Sequence, residues 1–408
     1  MVKTFQLDNG IRIIAKRING FKSLSMGVFV GVGSACETDA ENGISHFIEH
    51  VNFKGTKKRT AFEVSRDPEA LGVMINAATS KEYTYYYAKT LSEHTEKVLE
   101  ILSDIFIDSV YPPHELEREK GVVIEEINMY EDTPDDVCTN ALSRAVFGGG
   151  TGYGKAILGT KTNVRSFDRE AVLAYKKKYY TTDNVVLSFA GALDFEKIFE
   201  LCKRYFDRMP ATKKSREPER NLVNLCKTSV RRKEIEQEHL ALGFSAPKTD
   251  GEDLLEYNVI VNVLGGGMSS RLFQTVREQL GLCYTIDAYM QPYNDCGMWG
   301  IYAGVGAGAS AKTIAAIKEQ LDILKKNGIT AEEFSYVKEQ IKSSMVFVEE
   351  STTALMNVYG KRYLLQGDVY DPEKRMKEMN GLDHKKVNEV VFERLDTERF
   401  ALSKVLGK

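Results

Sequence analysis

The sequence predicts an α+β protein made of two units of similar size. Its 408 residues are more than one ordinary hydrophobic core accommodates. Both halves mix stretches of alternating apolar and polar residues, typical of strands, with stretches of helical periodicity. Residues 211–220 are polar and charged, as is typical of a linker. We therefore expect one domain over residues 1–210 and a second over 221–408.

The same patterns predict the elements in order along the chain. In the first half, strands are expected over residues 11–15, 23–30, 73–77 and 83–88, and helices over 93–108, 115–131 and 169–180. Pro112 and Pro113 precede the second of these helices, a position that suits proline. In the second half, strands are expected over residues 239–244, 284–290 and 299–303, and helices over 310–326 and 331–348.

Residues 46–50 read H-F-I-E-H, which is H-x-x-E-H, the inverted order of the zinc-peptidase signature H-E-x-x-H. On a helix, His46 and His50 lie on one face and can offer two imidazole nitrogens to one metal ion. Glu49 projects beside them and can take a proton from water. Asn42 or Ser45 is available to cap such a helix. A plain amphipathic helix with two histidines on one face is the alternative, and a third ligand would decide between them.

The helix expected over residues 115–131 offers such a ligand. Glu119 and Glu126 are seven residues apart, so they stack on the same face, beside an apolar stripe. Carboxylates next to apolar side chains are costly to bury unless a cation meets them, and a zinc ion would do so. A solvated, glutamate-rich helix surface is the alternative.

At this point the chain resembles the pitrilysin and insulinase family of metallopeptidases, and among them the short bacterial processing proteases similar to the β subunit of the mitochondrial processing peptidase. The residues that carry the resemblance occur in the family's order, and the resemblance covers nearly the whole chain. They are Val32, Gly33, Ser34, Glu37, Thr38, residues 42–50, residues 53–56 (F-K-G-T), residues 75–77 (I-N-A), Thr79, Ser80, Glu82, Thr84, Tyr86, Tyr87, residues 117–120 (E-R-E-K) and residues 123–126 (V-I-E-E). Two positions depart from the pattern: residues 70–74 lack the usual Gly-Gly pair, and Val51 replaces a common methionine.

The resemblance implies a fold and a set of site residues. The expected fold is two similar domains, each an antiparallel sheet covered by helices. His46, His50 and Glu126 would bind one Zn²⁺ per chain, since the family's third ligand follows the second histidine by 76 positions. Glu49 would be the general base. Glu119, counted with the catalytic residues, would orient a ligand or the water.

The resemblance also implies how substrate and partner chains bind. Asn76 and Ala77 would lie on an edge strand where an extended peptide adds by main-chain hydrogen bonds. Arg277 and Tyr284, seven residues apart in the second half, match a pair that helps to hold the substrate carbonyl. A chain of this length would work as a homodimer, or with a paralogous partner chain, to enclose a chamber. Arg277 and Tyr284 of one subunit would then serve the zinc of the other.

The sequence thus favours a zinc-dependent endopeptidase, with two alternatives open. One is a catalytically silent relative that acts as a binding or assembly subunit, and the other is a hydrolase of small non-peptide amides. A formal net charge of −3 argues against nucleic acid as a partner, and no apolar run approaches the length of a membrane span. Six scattered cysteines and the absence of a signal-peptide pattern lead us to expect reduced thiols and a cytoplasmic location.

Overall fold

The computed structural model describes residues 1–213 and 227–407. The expected linker over 211–220 therefore lies largely outside the described residues. Within them the chain folds into two compact units that are interleaved in sequence. The first comprises Met1–Ile127, Val346–Tyr370 and the described part of 156–219, and the second comprises Asn128–Lys155, the described part of 220–345, and Asp371–Lys408 as far as residue 407.

The first unit is built on a six-stranded sheet. Its strands are β1 (Val2–Gln6), β2 (Arg12–Arg17), β3 (Ser23–Val30), β4 (Met74–Thr79), β5 (Thr84–Leu91) and β6 (Val185–Gly191). Its helices are α1 (Ile44–Val51), α2 (Ala61–Glu69), α3 (Thr95–Asp108), α4 (Pro113–Asp132, the end of which passes into the second unit), α6 (Lys161–Ser166), α7 (Arg169–Tyr179), α8 (Phe195–Phe206) and α12 (Thr352–Leu365). Most of these strands are apolar on the face toward the core, and β3 and β6 are almost completely buried.

The second unit is built on a five-stranded sheet. Its strands are β7 (Thr228–Lys233), β8 (Gln237–Ser245), β9 (Cys283–Pro292), β10 (Gly297–Gly306) and β11 (Ala401–Gly407). Its helices are α5 (Pro134–Phe147), α9 (Leu254–Gly265), α10 (Ser310–Asn327), α11 (Ala331–Glu349, which ends in the first unit), α13 (Pro372–Gly381) and α14 (His384–Glu393), with a π-helical segment at Phe273–Gln279.

The two sheets share one topology. The first has the strand order β1-β2-β6-β3-β5-β4 and the second β7-β11-β8-β10-β9. Without β1 the orders correspond strand for strand. In each sheet the strand that comes last along the chain pairs in parallel with one neighbour, β2 or β7, and antiparallel with the other, β3 or β8. The expected fold of two similar helix-covered sheets is thus confirmed, although each sheet is mixed rather than purely antiparallel.

Each sheet is covered on one face by a helix from the other half of the sequence. Helix α12 packs on β2, β3 and β6, and helix α5 packs on β8 and β11. The approach is close: a Cβ atom at Gly27 of β3 would lie 2.5 Å from Sδ of Met356, and one at Gly243 of β8 would lie 2.7 Å from Val146. These units differ from the two continuous domains expected over 1–210 and 221–408. Helix α5 lies in the first half of the sequence but packs on the second sheet, and helix α12 lies in the second half but packs on the first sheet.

The other face of the first sheet carries the main core of that unit. Alternate residues of one strand point to opposite faces, so Ile13 belongs to the main core and Ile14 to the smaller cluster beneath α12. Helices α1 and α3 lie against β5 on the main-core side. Within residues 1–213 and 227–407, none of the helices combines the length and apolar character that a bilayer span requires.

Candidate metal centre

Helix α1 is preceded by Gly43, a position where any other residue would be strained. Gly43 has a φ of 102°, and a Cβ atom there would lie 2.7 Å from the carbonyl oxygen of Leu158. The buried carboxylate of Glu37 accepts hydrogen bonds from the backbone N–H groups of Gly43 at 2.8 Å and Ser45 at 2.9 Å. The expected cap by Asn42 or Ser45 is therefore wrong, since the Asn42 amide itself donates to Glu37.

The apolar side of α1 faces the core and leaves both histidines free for a ligand. The buried apolar residues of α1 are Ile44, Phe47, Ile48 and Val51. His46 and His50 lie one turn apart with their ring centroids 4.6 Å from each other. His46 is buried and His50 is half-buried. The helix is therefore anchored by its core face while it holds the two imidazoles side by side.

A buried polar cluster fixes the end of α1 to the start of α4. The Asn52 side-chain oxygen accepts from the Tyr111 hydroxyl at 2.6 Å and from Lys176 Nζ at 3.3 Å. The Asn52 carbonyl accepts from Ser109 Oγ at 2.7 Å. Since Tyr111 lies two residues before α4, these bonds set the position of α4 relative to the histidines.

Helix α4 confirms the helix expected over 115–131 and presents two glutamates to α1. Its apolar side is buried through Leu116, Val123 and Ile127. Glu119 is buried and Glu126 is half-buried on the same side of the helix. A carboxylate there approaches the histidines instead of solvent.

Three side chains converge on a point between α1 and α4. Glu126 Oε2 lies 3.6 Å from His46 Nε2 and 3.4 Å from His50 Nε2, and one donor atom from each residue lies within 4.8 Å of the others. Donor atoms around a tetrahedral zinc ion with bonds of about 2.0–2.1 Å lie roughly 3.3–3.4 Å apart. The three residues therefore fit a zinc ion with three protein ligands and a fourth position for water.

Glu119 supports His50 from the side away from this point. Its Oε1 accepts from His50 Nδ1 at 2.9 Å, which leaves Nε2 directed toward Glu126. Its Oε2 lies 2.8 Å from Lys54 Nζ. A carboxylate on the second nitrogen is the usual way in which proteins orient a metal-binding histidine.

In the metal-free chain the pKa values of the two histidines are shifted in opposite directions. Burial lowers the pKa of His50, but hydrogen bonds with Glu119 and Glu126 outweigh it and raise this pKa to about 9. Burial and the neighbouring His50 hold the pKa of His46 well below its ordinary value. At neutral pH His46 is therefore ready to bind a cation, while His50 must first lose a proton.

Glu49 is held by the last residue of strand β4. The Thr79 hydroxyl donates to Glu49 Oε2 at 2.6 Å. Burial raises the pKa of Glu49, and the Thr79 hydroxyl and the charge on His50 act in the opposite direction. A carboxyl group with a raised pKa is suited to proton transfer near neutral pH.

Asn76 and Ala77 lie on β4, which is an edge of the first sheet as expected. The backbone N–H of Ala77 donates to the side-chain oxygen of Asn76 at 2.8 Å. This places a backbone donor of an edge strand within reach of a peptide once the Asn76 side chain moves.

Arg277 and Tyr284 lie together in the second unit, at the end of the π-helical segment and the start of β9. The Arg277 guanidinium lies 5.5 Å from the centre of the Tyr284 ring, and 70% of Tyr284 is exposed. The pair therefore presents a cation and a phenol to the surface of its own unit.

Two further residues belong to the site without a signal of their own in the sequence: Thr79, which contacts Glu49, and Lys54, which contacts Glu119. Both residues lie in the stretches that carry the family resemblance, and this was the only available signal. Neither a lone threonine nor a lone lysine has a spacing that indicates its partner.

The fold and the candidate site together indicate the class of the protein: an α+β chain of two similar sheets in which two histidines and one glutamate could hold a metal ion beside a further carboxylate. Residues 12–161 match the family model described as insulinase (peptidase family M16), and residues 166–341 match the one described as peptidase M16 inactive domain. The chain belongs to the insulinase family, peptidase family M16.

The relatives agree with this membership, and the solved structures agree with the fold. A Bacillus subtilis (strain 168) protein named uncharacterized zinc protease YmxG is 41% identical over 403 residues, which are 99% of this chain and 98% of the relative. A Rickettsia bellii protein, also named an uncharacterized zinc protease, is 33% identical over 91% of this chain and 89% of its own. A protease from Helicobacter pylori has a similar fold, with a TM-score of 0.91 and 22% identity over 100% of this chain and 99% of that one. A peptidase M16 inactive domain from Pseudomonas fluorescens has a TM-score of 0.93 and 18% identity, over 100% and 98%.

Proposed function

We propose that this chain is a zinc-dependent endopeptidase that cleaves extended or unfolded peptides. The observation that carries the proposal is the convergence of His46, His50 and Glu126 around one point, with the Glu49 carboxylate beside it. The family membership and the relatives named zinc proteases support it.

His46, His50 and Glu126 would hold one zinc ion per chain. Zinc bound there would polarise the substrate carbonyl and make water acidic enough to attack at neutral pH. Glu49 would accept the proton of the attacking water at Oε1, because Oε2 already accepts the Thr79 hydroxyl. It would then deliver this proton to the leaving amine. Glu119 would keep His50 oriented by accepting from Nδ1.

The edge strand β4 would bind the substrate backbone. Ala77 offers its N–H and Asn76 offers its amide, so a peptide could add as a further strand next to β4. Binding through the main chain favours extended peptides and leaves side-chain selectivity modest.

Arg277 and Tyr284 would donate to the oxygen that becomes negative when the carbonyl is attacked. We further propose that two copies of the chain, or this chain and a paralogue, pair to form a chamber, and that this pair of residues serves the zinc of the other subunit. The cytoplasmic location expected from the sequence stays a prediction.

Cleavage of a quenched peptide library, compared with a panel of small amides, tests the proposed function. We expect the zinc-loaded parent to cleave peptides, and Glu49→Gln to bind zinc while losing about 10²- to 10⁴-fold in rate, the usual contribution of a general base. Turnover of small amides alone would identify a different hydrolase. Zinc binding without any turnover would identify a silent binding subunit.

A further inference from the structure

Among the hydrogen bonds of the described residues, the one from the Thr79 hydroxyl makes the shortest contact with the Glu49 carboxylate. Its distance of 2.6 Å to Oε2 is in the range of charge-assisted O–H···O⁻ bonds, which are roughly twice as strong as neutral ones. Glu49 reaches this hydroxyl from helix α1, whereas Thr79 belongs to strand β4. The bond therefore joins two elements that carry different parts of the site.

The surroundings hold Thr79 in one place. It pairs with Thr84 across β4 and β5, and the turn after it is closed by a bond from Ser80 N to the Tyr83 carbonyl at 2.8 Å. Threonine is branched at Cβ and has few χ1 rotamers, so a fixed backbone fixes the direction of its hydroxyl. Thr79 is thus a rigid donor, while the Glu49 side chain has three rotatable bonds.

The same strand carries Ala77, two residues earlier. Residues two apart on a strand lie on one face, at a separation of about 6.8 Å along it. A peptide that pairs with β4 would therefore have a fixed register with respect to Thr79, and through Thr79 with respect to Glu49.

We propose that Thr79 is the positioning residue of Glu49: its hydroxyl locks the carboxylate in register with a peptide bound to β4. This inference rests on the proposed peptidase function and adds a specific support for its base. It assigns β4 two tasks, binding the substrate backbone and orienting the group that moves the proton.

Three variants test this role. Thr79→Val keeps the shape and removes the donor, Thr79→Ser keeps the donor, and Thr84→Val is the matched control. Thr84 is the cross-strand partner of Thr79 and donates to the Val32 carbonyl at 2.9 Å, away from Glu49. The values of kcat and KM on one peptide, the zinc Kd from competition with a chelator, and the midpoint of thermal unfolding are measured for each zinc-loaded protein.

We expect Thr79→Val to lower kcat by about 10- to 100-fold, the usual effect of losing an outer hydrogen bond at a metal site, while KM and the zinc Kd stay near those of the parent. Thr79→Ser should recover most of kcat, and Thr84→Val should keep kcat whatever its thermal midpoint. An unchanged kcat in Thr79→Val, a parallel loss of zinc, or a failure of serine to restore the rate would overturn the proposal. If the valine variant does not fold, Thr79→Ala takes its place.

A double-mutant cycle separates this inference from the proposed function. The free energies of unfolding in denaturant of the parent, Thr79→Val, Glu49→Leu and the double variant report, without any turnover, whether the two side chains are coupled, because leucine, unlike glutamine, cannot accept the hydrogen bond of the Thr79 hydroxyl. Non-additive effects support the Thr79–Glu49 bond, and additive effects contradict it. A parent that shows coupling but no Glu49-dependent cleavage overturns the proposed peptidase function.

Discussion

At the scale of single residues, the two histidines of the site differ in the number of carboxylates that hydrogen-bond to their rings. His50 contacts both Glu119 and Glu126, whereas the buried Nδ1 of His46 has no hydrogen-bond partner in the described part of the chain. Glu119 is in turn balanced by the Lys54 ammonium at 2.8 Å. One histidine is therefore oriented by charge and the other mainly by packing.

Replacement of Glu119 by glutamine should weaken zinc binding by about 10- to 100-fold, because His50 loses the charged acceptor that orients it. Competition with a chromophoric chelator measures this loss. Glu117→Gln is the matched control on the same helix, since the Glu117 side chain is 71% exposed and pairs with Lys120. Equal zinc affinities of the two variants would contradict the role given to Glu119.

The metal-free chain should show one histidine that titrates far above the ordinary range. The pKa of His50 is raised to about 9, so its proton stabilises the folded metal-free chain at pH values below about 6.5, and this contribution is lost as the pH rises through about 9. Zinc must displace this proton at neutral pH, so its affinity should increase with pH up to about 9.

Nuclear magnetic resonance of the labelled histidine rings follows this titration, since the chain has only six histidines. His50→Ala assigns the signal, and Glu119→Gln should shift its midpoint downward. A His50 signal that titrates at or below the ordinary value of about 6.5 would be inconsistent with the ion pairs described here.

Among these residues, spacing in the sequence could predict His46, Glu49 and His50, because helical periodicity places the two histidines together. Spacing predicted that Glu119 and Glu126 lie on one face of a helix, but it did not predict which of the two is the metal ligand. That assignment came from the family resemblance. Thr79 and Lys54 were beyond prediction, since their partners lie 30 and 65 residues away and depend on how strand β4 and helix α4 pack.

At the scale of elements, the start of α1 determines where the histidines point. Gly43 adopts a left-handed conformation against the Leu158 carbonyl, and Glu37 satisfies the first N–H groups of the helix. The sequence pattern predicts a helix at this place, but the cap it predicts, Asn42 or Ser45, is wrong, because Glu37 acts from six residues before Gly43.

Gly43→Ala should destabilise the chain by about 1–3 kcal/mol and weaken zinc binding, because the strained start displaces α1. Gly72→Ala is the control: Gly72 also has a positive φ, of 66°, but nothing lies within 4 Å of the added methyl group. Urea unfolding of both variants measures the difference. Equal losses in the two would show that the contact with Leu158 has no role.

Local patterns predicted about half of the strands and helices named above, and they did not predict the order of the strands in space. Strands β3, β5, β9 and β10 lie close to where alternation predicted them, as do helices α3, α4, α10 and α11. Helix α5 packs on the second sheet and helix α12 on the first through contacts between segments that are distant in the sequence. The parallel pairing of β6 with β2 and of β11 with β7 also joins distant segments. Periodicity carries no information on such contacts.

At the scale of the whole molecule, the two units share a sheet topology but carry different candidate sites. The two sheets have corresponding strand orders, yet the described histidine–glutamate site belongs to the first unit only. The second unit carries Arg277 and Tyr284 next to its edge strand β9. In the function proposed above, the first unit would bind the metal and the second would contact the substrate.

A mixture of Glu49→Gln and Arg277→Ala chains tests whether two subunits share a site. If Arg277 acts in trans, each mixed dimer contains one site with both residues intact, so activity should reappear when two inactive proteins are combined. Fluorescently labelled subunits establish that exchange has occurred. Persistent inactivity after complete exchange would contradict the in-trans arrangement.

In the proposed site, helices α1 and α4 bring His46, His50 and Glu126 to one zinc ion. The most direct test of this arrangement is metal content and zinc X-ray absorption of the parent and of Glu126→Gln. We expect one zinc per chain in the parent, with two imidazole nitrogens at about 2.0–2.1 Å and oxygen ligands beside them, and a large loss of zinc in the variant. Full zinc occupancy in Glu126→Gln with an unchanged ligand shell would contradict it.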